Sequence, residues 1–421
     1  RPALISLPGL PPALRHRNFA LLWSGQTVSM LGDGIFSIAL PLQALQVDRS
    51  PVGLSLVLMA RVAPTACMLL VAGVVVDRIP RRMSMLGSDA ARGLAVAVIA
   101  AGIAAGGLHL WALIAMAVVF GIADAFFLPS KLAIVPELLP GDLLVQGAAL
   151  STGSQQIARM LAGPALGGLV IAVAGLGAAF AADAASFAVS AAALLAVRGR
   201  PRPARTGRSM LAEAREGLRY CRSQRWLWIT IAAVGVANLV AYGPLPLLVP
   251  LLVKNVLRGG PVALGLVTAS SGTGGVIASV IAGRLGAPRR QMTVIWFSWG
   301  LAGTAVAGLG LAPTAWAACV LVAFSWAMVM YGTVLWNSLM QSRVPASLLG
   351  RASSVEWLLS YAGTPVGIVA AGAVAGAAGP RAVLVAGGCL AALMALVLVV
   401  PGVRESGHQE EPPAPATGAQ A

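Results

Sequence analysis

Charged side chains are scarce in this chain. Asp, Glu, Lys and Arg together make up 10% of its 421 residues, against about 25% in an ordinary soluble domain. That shortage excludes a water-soluble enzyme, a disordered chain and a coiled coil. Lysine is nearly absent, with 2 Lys beside 27 Arg. The four cysteines, Cys67, Cys221, Cys319 and Cys389, include no C-x-x-C pair, so neither a metal site nor a disulfide framework is indicated. Histidine occurs three times, at His16, His109 and His408, always at the end of an apolar run or in a tail. No catalytic or metal constellation can be built from these residues, and no cofactor is expected. A Gly-x-x-x-x-Gly-Lys-Ser/Thr phosphate loop is also missing, which argues against ATP-driven work by this chain alone.

What the chain has is apolar length. Hydrophobic residues make up 58%, more than one soluble core can hide, because cores stop growing near about 250–300 residues. Twelve runs approach or exceed the length of about 20 residues that crosses a bilayer as a helix. They cover residues 19–46, 52–76, 84–106, 109–130, 144–172, 178–197, 226–253, 262–283, 291–311, 315–340, 354–378 and 382–401. A transmembrane β-barrel would instead alternate over about 10 positions per strand. The fold expected is an all-α polytopic membrane protein, twelve transmembrane helices in two six-helix halves. The parts are a cytoplasmic N-terminal segment (1–18), a first half (19–197), a linker (198–225), a second half (226–402) and a tail (403–421). The tail is rich in Pro, Glu, Gln and Ala and is expected to be disordered.

The net charge of +15 could point to nucleic acid, but its distribution does not. Placing both termini in the cytoplasm puts 22 Lys/Arg in cytoplasmic segments and four outside, the split expected of positive-inside loops. A multi-pass protein of a bacterial cytoplasmic membrane is therefore expected, monomeric, with the bilayer as its setting and no nucleic-acid partner. The linker holds nine Arg and two Glu, with Leu211, Leu218 and Cys221 near one helical face. A short amphipathic helix at the membrane surface follows. A weak repeat links the halves: Pro140-Gly-Asp-Leu-Leu144 resembles Pro345-Ala-Ser-Leu-Leu349, 205 residues on. Two parallel repeats of this kind place a substrate site at their interface near mid-membrane.

One motif closes the second run: Gly73-Val-Val-Val-Asp77-Arg78-Ile-Pro-Arg81-Arg82. An Arg-rich turn this tight must lie on the cytoplasmic face, where Asp77 can meet a helix N-terminus and the arginines can pair with acids or lipid phosphates. Another is Gly163-Pro164-Ala-Leu-Gly167-Gly168 in the fifth run. Gly163 and Gly167, four apart, let two helix backbones approach closely, and Pro164 removes a backbone donor and can bend the helix. Together these residues resemble the major facilitator superfamily. Gly73, Asp77, Arg78, Arg81 and Arg82 match its loop between the second and third helices, with Pro80 where the family usually has Gly. The resemblance implies a gating latch there. Gly163, Pro164, Gly167 and Gly168 match the second part of its antiporter motif, Arg159 standing where the first Gly would be, which implies export rather than import. Asn18-Phe19-Ala-Leu-Leu-Trp23-Ser-Gly25-Gln26, Leu31-Gly32-Asp33 and Glu216-Gly217-Leu218-Arg219-Tyr220 are similar to the macrolide-efflux and enterobactin-exporter branch.

Charges inside a membrane are costly and mark function. Asp33, Arg61, Asp89, Arg92, Asp124, Arg159, Asp183 and Glu356 fall within runs. At about 1.5 Å per residue, Asp33 and Arg159 reach similar depth, which allows a pair. The resemblance implies that the first, fourth, seventh and tenth helices line the cavity. Asp33 and Asp124 are then the proton-coupling candidates, with Arg159 substituting for an arginine that many relatives carry where this chain has Ala117. Asp33 reads equally well as a fixed structural partner of Arg159. Asp89 and Arg92 read as a structural pair, Glu356 as the acid at a helix N-terminus, and Asp183 as near the outer surface. Gln26, Asn238, Tyr242, Trp336 and Asn337 supply cavity polarity that suits a bulky amphiphile better than a sugar. The function expected is export of a drug or secondary metabolite in exchange for protons, by alternating access. A siderophore or lipid exporter, an uncoupled facilitator, and a non-transporting membrane sensor remain the alternatives.

Overall fold

In the computed structural model, residues 11–76, 79–197 and 210–399 are described. Long helices dominate, because a chain in lipid has to satisfy its backbone polar groups internally. Among the described residues, ten of them are long and apolar enough to span a membrane. Two of the ten each contain a break at a glycine with positive φ, Gly175 (φ 84°) and Gly379 (φ 82°). Only glycine adopts that backbone without strain, so each of these long segments folds as two successive spans. The two glycines stand 204 residues apart, close to the spacing of the sequence repeat.

The twelve spans are α1 (Arg17–Val47), α2 (Pro51–Val76), α3 (Arg81–Ala104), α4 (Leu110–Leu138), α5 (144–174), α6 (176–196), α7 (Arg225–Val256), α8 (Pro261–Leu285), α9 (Gln291–Gly310), α10 (Ala315–Arg343), α11 (346–378) and α12 (380–399). Local chemistry explains several of their ends. Asp48 accepts from the Ser50 N–H at 2.9 Å, and Ser50 accepts from Gly53 at 3.0 Å, which reverses the chain into α2. Thr314 caps α10 by accepting from Ala317. Gly286 (φ 66°) closes α8. Between α6 and α7, residues Met210–Ser223 form the short helix expected of the linker. It docks on α11: Arg351 Nη1 donates to Glu216 at 2.8 Å, and Gly217 lies against the Arg351 backbone. Residues 403–421, expected to be a disordered tail, lie outside the described residues.

The bundle has a terminal end, where residues 11 and 399 and the linker helix lie, and a distal end, which carries the turns at 48–50, 175, 257–260 and 379. α5 meets α8, and α2 meets α11, with the close approaches made by glycine. A Cβ on Gly168 would fall 2.6 Å from the Pro261 carbonyl, and one on Gly272 2.7 Å from the Met160 carbonyl. One on Gly372 would fall 2.5 Å from Ser55. Lys254 Nζ of α7 donates to the Leu45 carbonyl of α1. These cross-half contacts run from mid-bundle to the distal end. Toward the terminal end no such packing links the halves among the described residues: residues 144–154 of α5 pack within their own half, and residues 346–361 of α11 pack within theirs and on the linker helix. A cleft between the halves therefore opens at the terminal end.

Candidate functional site

Three stretches of the bundle widen into π-helical turns: Gln155–Ala162 in α5, and Asn238–Tyr242 and Leu252–Val256 in α7. Such turns concentrate where helices do more than span. In α5 the cause is local. Pro164 has no N–H to give to the preceding turn, and the wide turn ends two residues before it, at Ala162. Gly163 and Gly167 then face α1: a Cβ on Gly163 would lie 2.7 Å from Gly34 Cα, and one on Gly167 2.9 Å from Ile35 Cα. Gly168 faces α8 in the other half. The glycine motif of α5 thus wedges this helix between α1 of its own half and α8 of the opposite half.

Beside that wedge the first half holds a network of charges. Arg92 of α3 is buried and ion-paired to Asp89 on its own helix and to Asp124 of α4, the latter at 2.9 Å. Its guanidinium lies over the Phe127 ring at 4.1 Å and the Phe187 ring at 4.7 Å. Asp89 also accepts from Ser190 Oγ at 2.6 Å, and Ser190 accepts from Gln26 Nε2 at 2.9 Å. A chain of polar contacts therefore runs α1–α6–α3–α4. Asp33, about two turns beyond Gln26 on α1, is buried, and its Oδ1 has no hydrogen-bond partner. Asp183 of α6 is fully buried against Gly32 of α1, its Oδ2 also unpartnered. Arg61 of α2 stands over the rings of Phe36 (5.1 Å) and Phe120 (4.9 Å), attracted by their π faces. Lys131 of α4 lines a narrow crevice with Gln26, Met30 and Ser154.

The sequence candidates fare unevenly in this arrangement. Asp33 and Arg159 have matched depth but form no ion pair; the Arg159 backbone carbonyl packs on Gly34 instead. Asp124 is committed to Arg92. Gln26 is turned to Ser190, Asn238 donates to the Ser360 carbonyl at 2.9 Å, and the Tyr242 hydroxyl donates to the Trp299 carbonyl at 3.3 Å. Trp336 is buried in an indole cluster, 5.7 Å from Trp226 and 6.2 Å from Trp299 between ring centroids. Asn337 is exposed. In the loop motif, Arg81 pairs with Glu137 of α4 and donates to the Ala133 carbonyl, while Arg82 donates to the Leu195 carbonyl at 2.7 Å. Gly73 lies in the last turns of α2; Asp77 and Arg78 lie outside the described residues.

Two sequence readings need correction. Asp183 was expected near the outer surface, and it is fully buried, because the break at Gly175 starts α6 earlier and carries the residue inward. Glu356 was expected at a helix N-terminus. α11 begins at Ala346, which places Glu356 in its third turn. The stacked pair Trp357 and Tyr361 beside it was not singled out, although their spacing of four residues puts them on one helix face.

Comparison with known proteins agrees with this architecture. The family model described as "Transmembrane secretion effector" matches residues 9–416. Macrolide efflux protein A of Streptococcus pyogenes is 25% identical over 361 residues, covering 84% of this chain and 88% of that protein. The multidrug efflux pump Tap of Mycobacterium tuberculosis is 30% identical over 375 residues, covering 84% and 86%. Among solved structures, the nucleoside transporter NupG superposes with TM-score 0.70 at 12% identity, covering 91% of this chain and 99% of that one. A bacterial homologue of the human lysosomal transporter Spinster, inward-facing and unoccupied, gives TM-score 0.69 at 14% identity, covering 95% and 98%. At these identities the two structures speak to fold alone.

Proposed function

This chain belongs to the transmembrane secretion effector family of the major facilitator superfamily, and from that membership we propose that it is a secondary active exporter of a drug or secondary metabolite, driven by proton entry. The relatives named for macrolide and multidrug efflux support the substrate class. The observation that carries the mechanism is the one-ended contact between the halves. Glycine-mediated packing closes the distal end, and the terminal end is open. Two six-helix bodies joined this way can rock about the mid-bundle contacts, exposing the cleft first to one side and then to the other. With the termini in the cytoplasm, as the arginine distribution indicates, the cleft described here faces inward.

Asp33 is the proton-carrying candidate we favour. It is buried in the half that holds the charge network, and one of its oxygens has no partner, so it is free to exchange a proton as its surroundings change. Asp124 is the second candidate; its tie to Arg92 suits a residue that passes on a change rather than one that starts it.

The test uses purified protein in liposomes with the cytoplasmic face outward and an acidic lumen. Adding a macrolide or tetracycline should raise lumenal pH as ligand enters and protons leave, and Asp33→Asn should reduce that flux to the protein-free background. Ligand entry without proton movement would leave a facilitator and return Asp33 to a structural role. Movement of siderophores or lysolipids alone would replace the substrate class.

A further inference from the structure

The Arg92 network leaves out one fully buried acid of the first half, Asp183 of α6. It forms no ion pair among the described residues. Its Oδ2 has no hydrogen-bond partner, and its Oδ1 accepts from Ser186 Oγ across a long 3.4 Å. The packing of α6 on α1 shows what faces it. The two helices run antiparallel, and their contacts repeat after seven residues on each. A Cβ on Gly25 would meet Ser190 and Ala193; one on Gly32, seven residues on, would meet Asp183 and Ser186, seven residues back. Gln26, beside Gly25, donates to Ser190. Seven residues return a side chain to within about 20° of the same face. Asp33, beside Gly32, therefore stands opposite Asp183 as Gln26 stands opposite Ser190. Each of the two acids carries an unpartnered oxygen. Of the charged side chains around Asp183, Asp33 acts on it most strongly, ahead of Arg92 and Arg61.

No base in this half is paired to either acid. Arg92 of α3 holds Asp89 and Asp124 and is covered by Phe127 and Phe187. Arg61 of α2 stands over Phe36 and Phe120. Arg159 of α5 turns its backbone carbonyl to Gly34 and forms no ion pair among the described residues. Lys131 of α4 lines the crevice with Gln26 and Met30. The remaining acids near the seam, Asp89 and Asp124, are spent on Arg92. Two carboxylates thus meet at one level of a dry seam, where both cannot ionise together. They differ in access. Asp33 keeps 7% of its surface exposed and Asp183 keeps none, so the charge that survives belongs on Asp33 and the retained proton on Asp183.

We propose that Asp33 and Asp183 bind protons as one unit spanning α1 and α6, in which Asp183 stays protonated and Asp33 exchanges. Asp183 is then a positioning residue that acts through Asp33. While it is neutral, the seam carries one negative charge when Asp33 is ionised and none when Asp33 is protonated. A protonated carboxyl is also a donor, which Asp33 otherwise lacks for its free oxygen. An ionised Asp183 would hold a proton on Asp33 by repulsion and stop the exchange. The proposal rests on the proton-driven reading only for what the exchanged proton accomplishes. That Asp183 retains a proton follows from the packing of α1 on α6.

The experiment records infrared spectra of the full chain in liposomes at neutral pH, so it does not depend on transport. Aspartate labelled with carbon-13 at its side-chain carboxyl separates Asp from Glu. Wild type should show the C=O band of a protonated aspartic acid. Asp183→Asn should remove that band, and Asp33→Asn should leave it. An amide copies the shape of a neutral acid, so Asp183→Asn should also leave the unfolding temperature nearly unchanged. Absence of the band in wild type would overturn the proposal without any variant. Its survival in Asp183→Asn would overturn it too, as would its loss in Asp33→Asn alone. A steep fall in unfolding temperature on Asp183→Asn would make Asp183 the ionised partner of Arg61 or Arg92, and that also ends the proposal. If the band behaves as expected but gradient-driven export fails in wild type, the acid pair stands and the exporter reading falls. If proton-driven export runs and no such band exists, the reverse holds.

Discussion

In residues 19–197 the interior of the bundle is organised by ions. Asp89, Arg92 and Asp124 tie α3 to α4, Ser190 and Gln26 extend the tie to α6 and α1, and Phe127 and Phe187 cover the guanidinium. In residues 226–402 the corresponding space is organised by indoles: Trp226, Trp296, Trp299 and Trp336 pack edge to face or tilted, with centroids 5.5–6.2 Å apart. Both devices hold helices together where lipid gives no hydrophobic drive. They differ in what can disturb them. A proton arriving at Asp33 or Asp124 changes every charge balance in the first half, whereas an indole cluster does not respond to protons. In the exporter proposed above, this division would place the proton-responsive groups in the first half and a proton-insensitive packing core in the second.

The sharpest way to break this comparison is to remove Arg92. Arg92→Met leaves Asp89 buried with no opposing charge, a change that costs about 3–5 kcal/mol in buried ion pairs, read as a fall in thermal unfolding temperature in detergent. Replacing Asp89 by Leu in the same protein removes the orphaned charge and should recover most of the loss. If the double variant is as unstable as the single one, the network is not what holds α3 in place. In the second half, Trp336→Ala opens a void in the indole cluster and should cost about 3 kcal/mol, measured the same way. No second substitution should rescue it, because what is lost there is packing and not charge balance. A negligible cost at Trp336 would mean that the second half is held by something other than its indoles.

The helices themselves were legible from apolar length. Even the two spans hidden inside continuous helices were expected to part close to Gly175 and Gly379, because the runs were split at 172–178 and 378–382. Charge partnerships were not legible, since they depend on how each helix is rotated. A displacement of four residues along a helix changes depth by about 6 Å, but a displacement of one turns the side chain by about 100°. Asp33 and Arg159 were matched in depth and still do not pair. Polar residues on cavity-lining helices were read as ligands for a substrate. Gln26, Asn238 and Tyr242 instead spend their hydrogen bonds on neighbouring helices, as buried amides and hydroxyls in a dry interior must. Glu356 was misplaced for a simpler reason: α11 starts eight residues before its apolar run does.

The smallest effect on stability belongs to the contact between the halves, and it decides whether they move as separate bodies. A Cβ on Gly265 would lie 2.6 Å from the Pro164 carbonyl and 3.0 Å from Gly168 Cα, backbone atoms that cannot swing aside. In a rigid core Gly265→Leu would cost about 1–3 kcal/mol by overpacking. If α5 and α8 belong to halves that can part, the clash is relieved by parting them, and the cost should stay under about 1 kcal/mol. The distal end would then open. A cysteine at position 55, where Ser55 is fully buried, reports it in a background lacking the four native cysteines. A water-soluble maleimide should label Ser55→Cys slowly in the parent and readily once Gly265→Leu is added. A large loss of stability with no gain in labelling would mean that the two halves, for all their difference in chemistry, pack as one body.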